Sequence, residues 1–537
     1  MTEGPRDRWL AVFLIAWATL AVSSIWLRPL WPVDETRYAS VAWEMWLRGD
    51  FLVPYINGEP YSHKPPLLFW LIHLGWAAFG VNDWWPRLVA PLCAFGALVL
   101  IRLLARQLWP EERARESYAA WALFGTVLFA AFVTLVMFDL LLLLCTMAAM
   151  VGVLHLARGE RRAGILWLGA GIGLGVLAKG PVILLHVLPV AVVAPWWSPA
   201  ARAAPGKWYL GLLLGVLLGA TIALAWALPA GYFGGEAYRR AIFWGQTAGR
   251  VSESFAHRAP WWYYAPLLPA ILFPWLVWPP FWRGLRGKDA GKEMPVRFLA
   301  AWLLLTVIGF SFVSGKQAKY LVPMLPGFAL LVAHSLGRLV LPARRWDMLL
   351  PAAGFLALPA LLFYARSRPA ALELPEWAGT VPAWPIAASF LVVPVLLVLA
   401  RAGTIAQLRA LSFSVLGALA VIYAGLLPAI APYGDPAPAA AHLAGLQERN
   451  VPLAHLGKYH AQYNFAGRLR KPIDILDPGE LASWATKNPA GQVIVVERRR
   501  HAGAGVQPQY QAPFRGAWIQ IWRGDELLRR TNQDGIR

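Results

Sequence analysis

Long apolar segments recur along most of this chain, and they constrain its fold more than any other feature of the sequence. A membrane-spanning helix needs ~20 predominantly apolar residues, and such segments recur from Trp9 to about residue 430. Only 15% of the 537 residues are charged, whereas a soluble protein carries roughly 25%. Runs such as 116–157 and 208–230 contain too little polar surface for a soluble core. The sequence therefore predicts an α-helical polytopic membrane protein.

We predict about thirteen transmembrane helices, followed by a small soluble domain. The spans fall near 9–28, 86–105, 117–136, 139–157, 163–178, 181–197, 208–229, 263–282, 298–314, 320–340, 347–365, 384–400 and 411–430. The first lacks a small-residue cleavage site, so we interpret it as an uncleaved span rather than a signal peptide. Prolines after residue 432 mark a boundary between a membrane domain, 1–432, and a C-terminal domain, 433–537. One helix and two strands predicted in this tail indicate a small α/β fold.

The distribution of lysine and arginine predicts the orientation, because cytoplasmic loops of membrane proteins are enriched in these residues. With the N-terminus in the cytoplasm, every predicted cytoplasmic loop is basic, which also accounts for the net charge of +20 without nucleic acid. Thirteen spans then place the C-terminal domain in the periplasm. Two long external loops, 29–85 and 230–262, are exceptions because they carry many charged residues. Functional residues concentrate on loops that a rigid scaffold positions, so we expect the site there.

The sequence Val33-Asp34-Glu35-Thr36-Arg37-Tyr38 follows the first span. Adjacent carboxylates at a membrane surface are costly unless they bind something. Asp34 is therefore a candidate proton acceptor or metal ligand. The alternative is structural: Asp34 as the N-cap of an amphipathic helix, with Glu35 and Arg37 in its first turn.

Two further external segments combine cations with aromatic residues. In Tyr61-Ser62-His63-Lys64-Pro65-Pro66, the ammonium of Lys64 suits a lipid phosphate, although interfacial lysines also extend to the headgroups without binding a ligand. In the segment RVSESFAHRAPWWYY, His257 is a candidate metal ligand or proton carrier. Arg258 is a candidate bidentate phosphate ligand. An ordinary interfacial loop is the alternative for this second segment.

Several charged residues converge on the predicted external face. Asp139 begins a strongly apolar hairpin, where a lone carboxylate is a functional candidate and a helix N-cap is the alternative. The segment SGKQAKY places lysines outside, against the rule that concentrates them inside. The lysines on this face are Lys64, Lys179, Lys316 and Lys319. Together with the two aspartates they predict a binding site for an anionic lipid headgroup.

These segments resemble, in the same order, those of the ArnT-like aminoarabinose transferase and protein O-mannosyltransferase group of GT-C membrane glycosyltransferases. The first external loop, DETRYASVAWEMWLRGDFLVPYINGEPYSHKPPLLFWL, is similar to the first loop of that family. VMFDLLL resembles its second acidic turn, FAHRAPWWYYAP its HxRPWWFY-type segment, and SGKQAKYLVPMLPGFALL its Lys-to-Tyr-Leu-Pro loop. The resemblance covers most of the membrane region.

The resemblance implies roles for these residues. Asp34 and Asp139 correspond to the two acidic positions of the family, which we expect to be catalytic. Lys64 corresponds to a lysine that contacts the donor phosphate. We expect a further group to bind substrate: Glu35, Arg37, Tyr61, Lys179, Arg258, Lys316, Lys319 and Tyr320. His257 corresponds to a histidine implicated in divalent metal binding.

One departure from the family concerns the metal. ArnT-type enzymes have glutamate before the motif lysine, and here His63 occupies that position. His63 and His257 would together offer nitrogen ligands to zinc or a similar divalent metal. No nucleotide cofactor is expected, because the sequence contains no Gly-rich phosphate loop.

The resemblance implies an inverting glycosyltransferase in a bacterial inner membrane. It would transfer a sugar, with 4-amino-4-deoxy-L-arabinose as the first candidate, from undecaprenyl phosphate to lipid A or another envelope acceptor. Two alternatives stay open: a protein O-mannosyltransferase-like enzyme, and a lipid-linked sugar transporter or flippase. A transporter would place its charges near the membrane midplane, often in paired repeats, whereas here they lie at one face. We expect a monomer that contacts membrane lipids.

Overall fold

The structure is a computed structural model, and it describes residues 8–245, 258–286, 290–399, 403–498, 500–501 and 506–534. Two parts are distinct within these residues. A large helical domain contains most of the buried apolar side chains in one continuous core. A smaller domain with a five-stranded sheet follows it, in agreement with the predicted fold class.

The membrane domain is built from helices of very different lengths. In its first half they are α1 Arg8–Leu27, α2 Asp34–Arg48, α3 Leu67–Phe79, α4 Trp84–Leu108, α5 Ala114–Phe124, α6 Val127–Phe132, α7 Asp139–Ala157, α8 Arg161–Lys179, α9 Ile183–Val192, α10 Ala194–Trp197, α11 Pro199–Ala203, α12 Pro205–Phe233 and α13 Gly235–Arg240. The second half contains α14 Leu268–Ile271, α15 Pro279–Leu285, α16 Met294–Phe312, α17 Leu325–Gly337, α18 Leu349–Ser367, α19 Ala383–Phe390, α20 Val392–Leu399, α21 Thr404–Val421 and α22 Leu427–Ile430.

Among the described residues, nine helical runs are long and apolar enough to cross a membrane. They are α1, α4, α7, α8, α12, α16, Ala318–Gly337, Arg345–Ser367 and Thr404–Tyr433. The other four predicted spans, near 117–136, 181–197, 263–282 and 384–400, are divided into shorter helices. Pro274 and Pro279 lie in the third of these segments, and proline removes a backbone donor and interrupts a helix. The apolar runs therefore predicted the positions of these segments, but not where their helices are interrupted.

Close packing of α7, α8 and α12 depends on glycine. A Cβ atom on Gly152 of α7 would lie 2.3 Å from the backbone nitrogen of Leu168 on α8. A Cβ atom on Gly219 of α12 would lie 2.8 Å from Ile172. Small residues allow membrane helices to approach closely. This packing fixes the ends of α7 and α8, where Asp139 and Lys179 lie.

The C-terminal domain contains a mixed sheet covered by helices. Its strands are β3 Leu453–Leu456, β4 Asp474–Leu476, β5 Gln492–Glu497, β6 Tyr510–Phe514 and β7 Ala517–Arg523, in the order β4-β3-β5-β7-β6. Strand β3 is parallel to β4 and β5, and β7 is antiparallel to β5 and β6. Its helices are α23 Ala437–Glu448, α24 Leu481–Lys487 and α25 Gly524–Asp534. The predicted boundary at residue 432 stays a prediction.

The C-terminal domain packs directly on the first external loop of the membrane domain. This loop also contains a two-residue hairpin, β1 Tyr55–Ile56 and β2 Glu59–Pro60. Asn57, at the turn of this hairpin, exchanges two hydrogen bonds of 2.9 Å with the backbone of Ile473. The ring of Phe465 stacks on Trp76 of α3 at 5.4 Å between centroids. The sheet domain therefore lies at the same end of the molecule as α2.

Candidate active site

The first carboxylate of the site lies at the first residue of α2. Asp34 Oδ2 accepts a hydrogen bond of 3.1 Å from Lys319 Nζ, and its Oδ1 accepts one from Arg37. The N-cap of α2 is Val33, so Asp34 does not cap the helix. Its carboxylate is bound by side-chain cations instead. About a third of the Asp34 side chain is exposed, with a relative accessibility of 32%. A ligand can therefore reach this carboxylate.

The electrostatic environment keeps Asp34 ionised. Burial acts to raise the pKa of Asp34, but the charges of Lys319 and Arg37 outweigh it, and Lys64 contributes in the same direction. The pKa of Asp34 is therefore lowered. At neutral pH this group is a carboxylate that can orient an acceptor or accept a proton from it.

Glu35, the neighbouring residue, is built into the interior. Its carboxylate accepts two hydrogen bonds from Arg28, at 2.6 and 2.9 Å. It also accepts backbone hydrogen bonds from Trp31 at 2.9 Å and Val136 at 2.7 Å. Only 3% of Glu35 is exposed. Glu35 therefore joins the end of α1 to the turn before α7, and we interpret it as a positioning residue.

The second carboxylate lies at the first residue of α7. Asp139 Oδ1 accepts a hydrogen bond of 2.6 Å from Lys179 Nζ, which comes from the last residue of α8. Asp139 is almost completely buried, and its N-cap position is occupied by Phe138. Lys179 Nζ also lies 5.3 Å from the ring centre of Tyr320. The structure thus brings Asp139, Lys179 and Tyr320 together.

Aromatic side chains connect the two carboxylate regions. The rings of Tyr38 and Phe138 meet edge to face at 4.8 Å, and Lys64 Nζ lies 5.8 Å from the ring centre of Phe138. Burial raises the pKa of Tyr38, and the charges of both Asp34 and Asp139 raise it further. Tyr38 therefore interacts electrostatically with both carboxylates, and its hydroxyl stays neutral at physiological pH. Because Lys64 also acts on Asp34, it belongs to the same cluster.

Lys316 and Arg258 lie beside this cluster and organise its edge. Lys316 Nζ donates to the backbone oxygens of Val313 at 2.7 Å and Ala259 at 2.9 Å, and the side chain is buried. Arg258 forms an isolated antiparallel bridge with Gly315, and its side chain is exposed. Lys316 therefore joins the backbone at Ala259 to the backbone at Val313.

The remaining predicted residues lie in the loop after the hairpin. Tyr61 is buried, and its ring lies 5.2 Å from that of the exposed His63. His257 lies outside the described residues. Within the ranges that the structure describes, no group of three or more His, Cys, Asp or Glu side chains forms a metal site.

Sequence reasoning missed three residues at this end of the molecule. Tyr38 lies one helical turn after Asp34, so helical spacing alone places it on the same face. Arg28 ends a span and carries the ion pair with Glu35. His460, in the C-terminal domain, gave no usable signal, because nothing in the sequence shows that residues 34 and 460 are close.

Chemically, the arrangement suits a phosphorylated lipid. An accessible carboxylate lies beside Arg37, Lys64 and Lys319, and a second, buried carboxylate is bound to Lys179. Preorganised cations can stabilise a departing phosphate, while a carboxylate orients or deprotonates the attacking group.

Comparisons with known proteins identify similar chains. The dolichyl-phosphate-mannose-protein mannosyltransferase family matches residues 63–226. An undecaprenyl phosphate-alpha-4-amino-4-deoxy-L-arabinose arabinosyl transferase of Pseudomonas aeruginosa PAO1 is 34% identical over 340 residues, which is 62% of this chain and 60% of that protein. The protein of the same name from Pseudomonas paraeruginosa PA7 is 33% identical over 433 residues, covering 73% of this chain and 75% of the relative.

Solved structures show the same fold. The crystal structure of ArnT from Cupriavidus metallidurans bound to undecaprenyl phosphate matches with a TM-score of 0.76 at 19% identity, over 96% of this chain and 98% of that one. An oligosaccharyltransferase from Archaeoglobus fulgidus in the apo form matches at a TM-score of 0.50 and 13% identity, over 90% of this chain and 69% of that one.

The fold and the relatives together define a multi-pass membrane protein of the GT-C class. Within that class, the sequence identity to the Pseudomonas relatives, and the share of each chain that it covers, establish the family. The chain belongs to the ArnT family, the undecaprenyl phosphate-aminoarabinose arabinosyltransferases.

Proposed function

We propose that this chain is an inverting glycosyltransferase that moves 4-amino-4-deoxy-L-arabinose from undecaprenyl phosphate to lipid A or another envelope acceptor. The shared name of its relatives supports the sugar and the donor. The observation that carries the proposal is the accessible Asp34 carboxylate, which is held between Lys319 and Arg37 at one end of the helical domain. That end would face the periplasm of the inner membrane, with the N-terminus in the cytoplasm, and we expect the enzyme to act as a monomer.

The reaction exchanges one bond at the anomeric carbon for another. An acceptor oxygen attacks this carbon from the side opposite the leaving group, and the bond to the undecaprenyl phosphate oxygen breaks with inversion. If the acceptor is a hydroxyl, Asp34 takes its proton. If the acceptor is a phosphate monoester, the nucleophile is already ionised, and Asp34 orients it through Arg37. The lowered pKa of Asp34 keeps the group ionised at neutral pH, as both roles require, and makes it a weak base.

Cations stabilise the leaving phosphate. Lys64 and Lys319 act on Asp34, and Lys179 lies at the adjacent Asp139. Fixed positive charges in a site shielded from water stabilise developing negative charge more strongly than they would in water. Arg258 and Tyr320 lie at the margins of this group, where they would contact the phosphate and the sugar. Asp139 holds Lys179 in position.

A divalent metal is a secondary element of the proposal. His63 is exposed in the loop before Lys64, and an imidazole there together with His257 would bind zinc or a similar ion. When bound, such an ion would neutralise phosphate charge. The steps described above use only the side chains of the chain itself.

A protein acceptor is the second candidate, because the matching family is described as a protein mannosyltransferase. It shares the same donor-side chemistry and differs in the acceptor hydroxyl. Transport of the lipid-linked sugar is less well supported, since the charged cluster lies at helix ends rather than along the middle of the spans.

Transfer in proteoliposomes tests the proposal. Purified full-length enzyme would receive radiolabelled undecaprenyl-phosphate aminoarabinose together with lipid A, and labelled lipid A would be separated by thin-layer chromatography. We expect label on lipid A with the wild type and a loss of about 100-fold or more with Lys64→Ala, because a donor to the leaving phosphate is removed. A matched control is Lys471→Ala, an exposed lysine of the C-terminal domain. If label crosses the bilayer on its original lipid and reaches no acceptor, the transferase proposal is wrong.

A further inference from the structure

The C-terminal domain brings its own cations to the active site. Strand β3 ends at Leu456, and the loop that follows, residues 457–461, returns toward α2. Gly457 begins this loop with a backbone hydrogen bond of 2.8 Å to Leu476 and a φ of 76°, a conformation that glycine adopts readily. The loop carries Lys458 and His460, whose spacing gave no functional signal in the sequence.

Two hydrogen bonds to one serine fix this loop against α2. Ser40 Oγ donates to the backbone oxygen of Ala461 at 2.7 Å and accepts from the backbone nitrogen of Phe465 at 3.1 Å. Trp43 Nε1, one turn further, donates to the oxygen of Leu469 at 2.9 Å. Ser40 lies six residues after Asp34 on the same helix, about 9 Å along its axis. His460, the residue before Ala461, is therefore held beside the first turns of α2.

A second cation of the C-terminal domain, besides Lys458, approaches from a hairpin on the other side of the domain. Arg515 lies in the turn between β6 and β7, and its backbone nitrogen donates to the oxygen of Tyr433 at 2.6 Å. Tyr433 ends the last apolar run of the membrane domain. The next glycine, Gly434, packs against Trp31, where an added Cβ atom would lie 2.2 Å from the ring. Contacts on both sides therefore place the 515 turn at the junction of the two domains.

The electrostatics agree with this placement. Burial lowers the pKa of His460, and the charges of Arg37, Lys458 and Arg515 lower it further. Asp34 acts in the opposite direction on the same group. His460 thus lies among cations of both domains and within range of the catalytic carboxylate. Lys64 and Lys179, by contrast, are cations of the membrane domain.

We propose that Lys458, His460 and Arg515 of the C-terminal domain, together with Arg37, bind a phosphate of the acceptor and hold it beside Asp34. This inference rests on the proposed transferase function, and it assigns the acceptor side of the same site. A cluster of cations and hydrogen-bond donors favours a phosphate group as its ligand. The donor phosphate, which is the other source of this chemistry, would bind to the lysines of the membrane domain.

Binding without turnover tests the assignment. Full-length enzyme in lipid nanodiscs would be titrated with bisphosphorylated lipid A and, separately, with undecaprenyl phosphate. The variants are Lys458→Gln combined with Arg515→Gln, and His460→Asn. The matched control combines Arg449→Gln and Lys487→Gln, two exposed cations of the same domain. Lys487 ends α24, which packs in a separate apolar cluster from the one that contains Tyr463 and Leu469.

We expect the Lys458/Arg515 double variant to weaken lipid A binding about tenfold or more, since hydrogen bonds to charged groups are lost. His460→Asn should weaken it by a smaller factor, and the control pair should not. The affinity for undecaprenyl phosphate should stay within about twofold, as expected for surface changes away from its site. Thermal unfolding of each variant would confirm that the fold is intact.

Three results would overturn the assignment. One is unchanged lipid A affinity in both variants. Another is an equal loss for undecaprenyl phosphate, which would place these cations at the donor. The third is displacement of lipid A by inorganic phosphate at the same concentration, which would indicate a general anion site. Because no turnover is required, absence of sugar transfer in the wild type would contradict only the proposed function.

Discussion

Asp34 and Glu35 are adjacent in the sequence, but the regions around their carboxylates are built differently. The Asp34 region is partly exposed, and lysine and arginine side chains from separate elements bind its carboxylate. The Glu35 region is closed, and one arginine and two backbone N–H groups surround its carboxylate. Both regions are ionic, so charge alone does not separate a reacting group from a structural one.

Access and the type of partner make the difference. Backbone donors and a fully buried arginine cannot move toward a ligand without breaking the fold, so the Glu35 region only positions its neighbours. Lysine at the end of a flexible side chain can exchange a carboxylate for a phosphate. The Asp34 region can therefore change partners during a reaction, and the Glu35 region cannot.

Asp34→Asn should produce the largest effect on activity. Removal of a carboxylate that deprotonates or positions the acceptor lowers rates by about 100- to 10,000-fold. The melting temperature should change little, because a third of this side chain is exposed. The measurement is the rate of label transfer to lipid A, together with a thermal unfolding curve of the purified variant. Activity within threefold of wild type would mean that Asp34 is not the reacting carboxylate.

Glu35→Gln should show the opposite pattern. Breaking a buried ion pair by removing one partner costs about 3–5 kcal/mol, and the amide would also face the guanidinium of Arg28 with a donor. We expect a lower yield and a lower melting temperature, while the folded fraction retains transfer within about tenfold, a loss of roughly 1.4 kcal/mol. Unfolding curves and rates per folded molecule separate the two effects. A stable but inactive Glu35→Gln would place Glu35 in the chemistry.

Lys319→Gln should have an intermediate effect that depends on pH. The lowered pKa of Asp34 means that transfer declines only when the pH falls through that lowered value, as the carboxylate is protonated. Removing the Lys319 charge raises this pKa, so the acidic limb of the rate profile should move to higher pH. At neutral pH we expect a loss of about 10- to 100-fold, because one phosphate donor is also absent. Lys319→Arg serves as the control, and it should keep the acidic limb near its wild-type position.

Local patterns were informative for the charged residues at the ends of the membrane helices. Apolar runs located the nine long helices among the described residues, and the positions of lysine and arginine predicted which loops share a face. Asp34, Asp139, Lys64, Lys179 and Lys319 meet in the structure, because each lies at the end of a helix or in a short loop beside one. Helix ends at one membrane face are constrained to a thin layer, which is why sequence position alone was informative.

Contacts across the fold were not accessible in the same way. The breaks in four spans follow from local packing and proline positions rather than from mean hydropathy. The sequence predicts Glu35 as a substrate-binding residue. Its partners, Arg28 and the backbone of Val136, come together only when the chain folds, so the pattern gave no sign of them. His460 and Arg515 are separated from Asp34 by more than 400 residues. Only the packing of the C-terminal domain on α2 brings them near it.

Arg106→Gln at the opposite end of the membrane domain should have the smallest effect, and it sharpens the comparison with both carboxylate regions. Glu116 there accepts hydrogen bonds from Arg106 at 2.8 Å and Arg102 at 3.3 Å, and about half of each arginine side chain is exposed. Solvent screens the half-exposed arginines and weakens each ion pair, and Arg102 remains to bind the buried Glu116. We expect transfer within about twofold of wild type and a small change in the melting temperature, measured in the same assays. A loss comparable to that of Lys319→Gln would mean that charge at either end of the helices supports activity, and the distinction drawn from the Asp34 region would then fail.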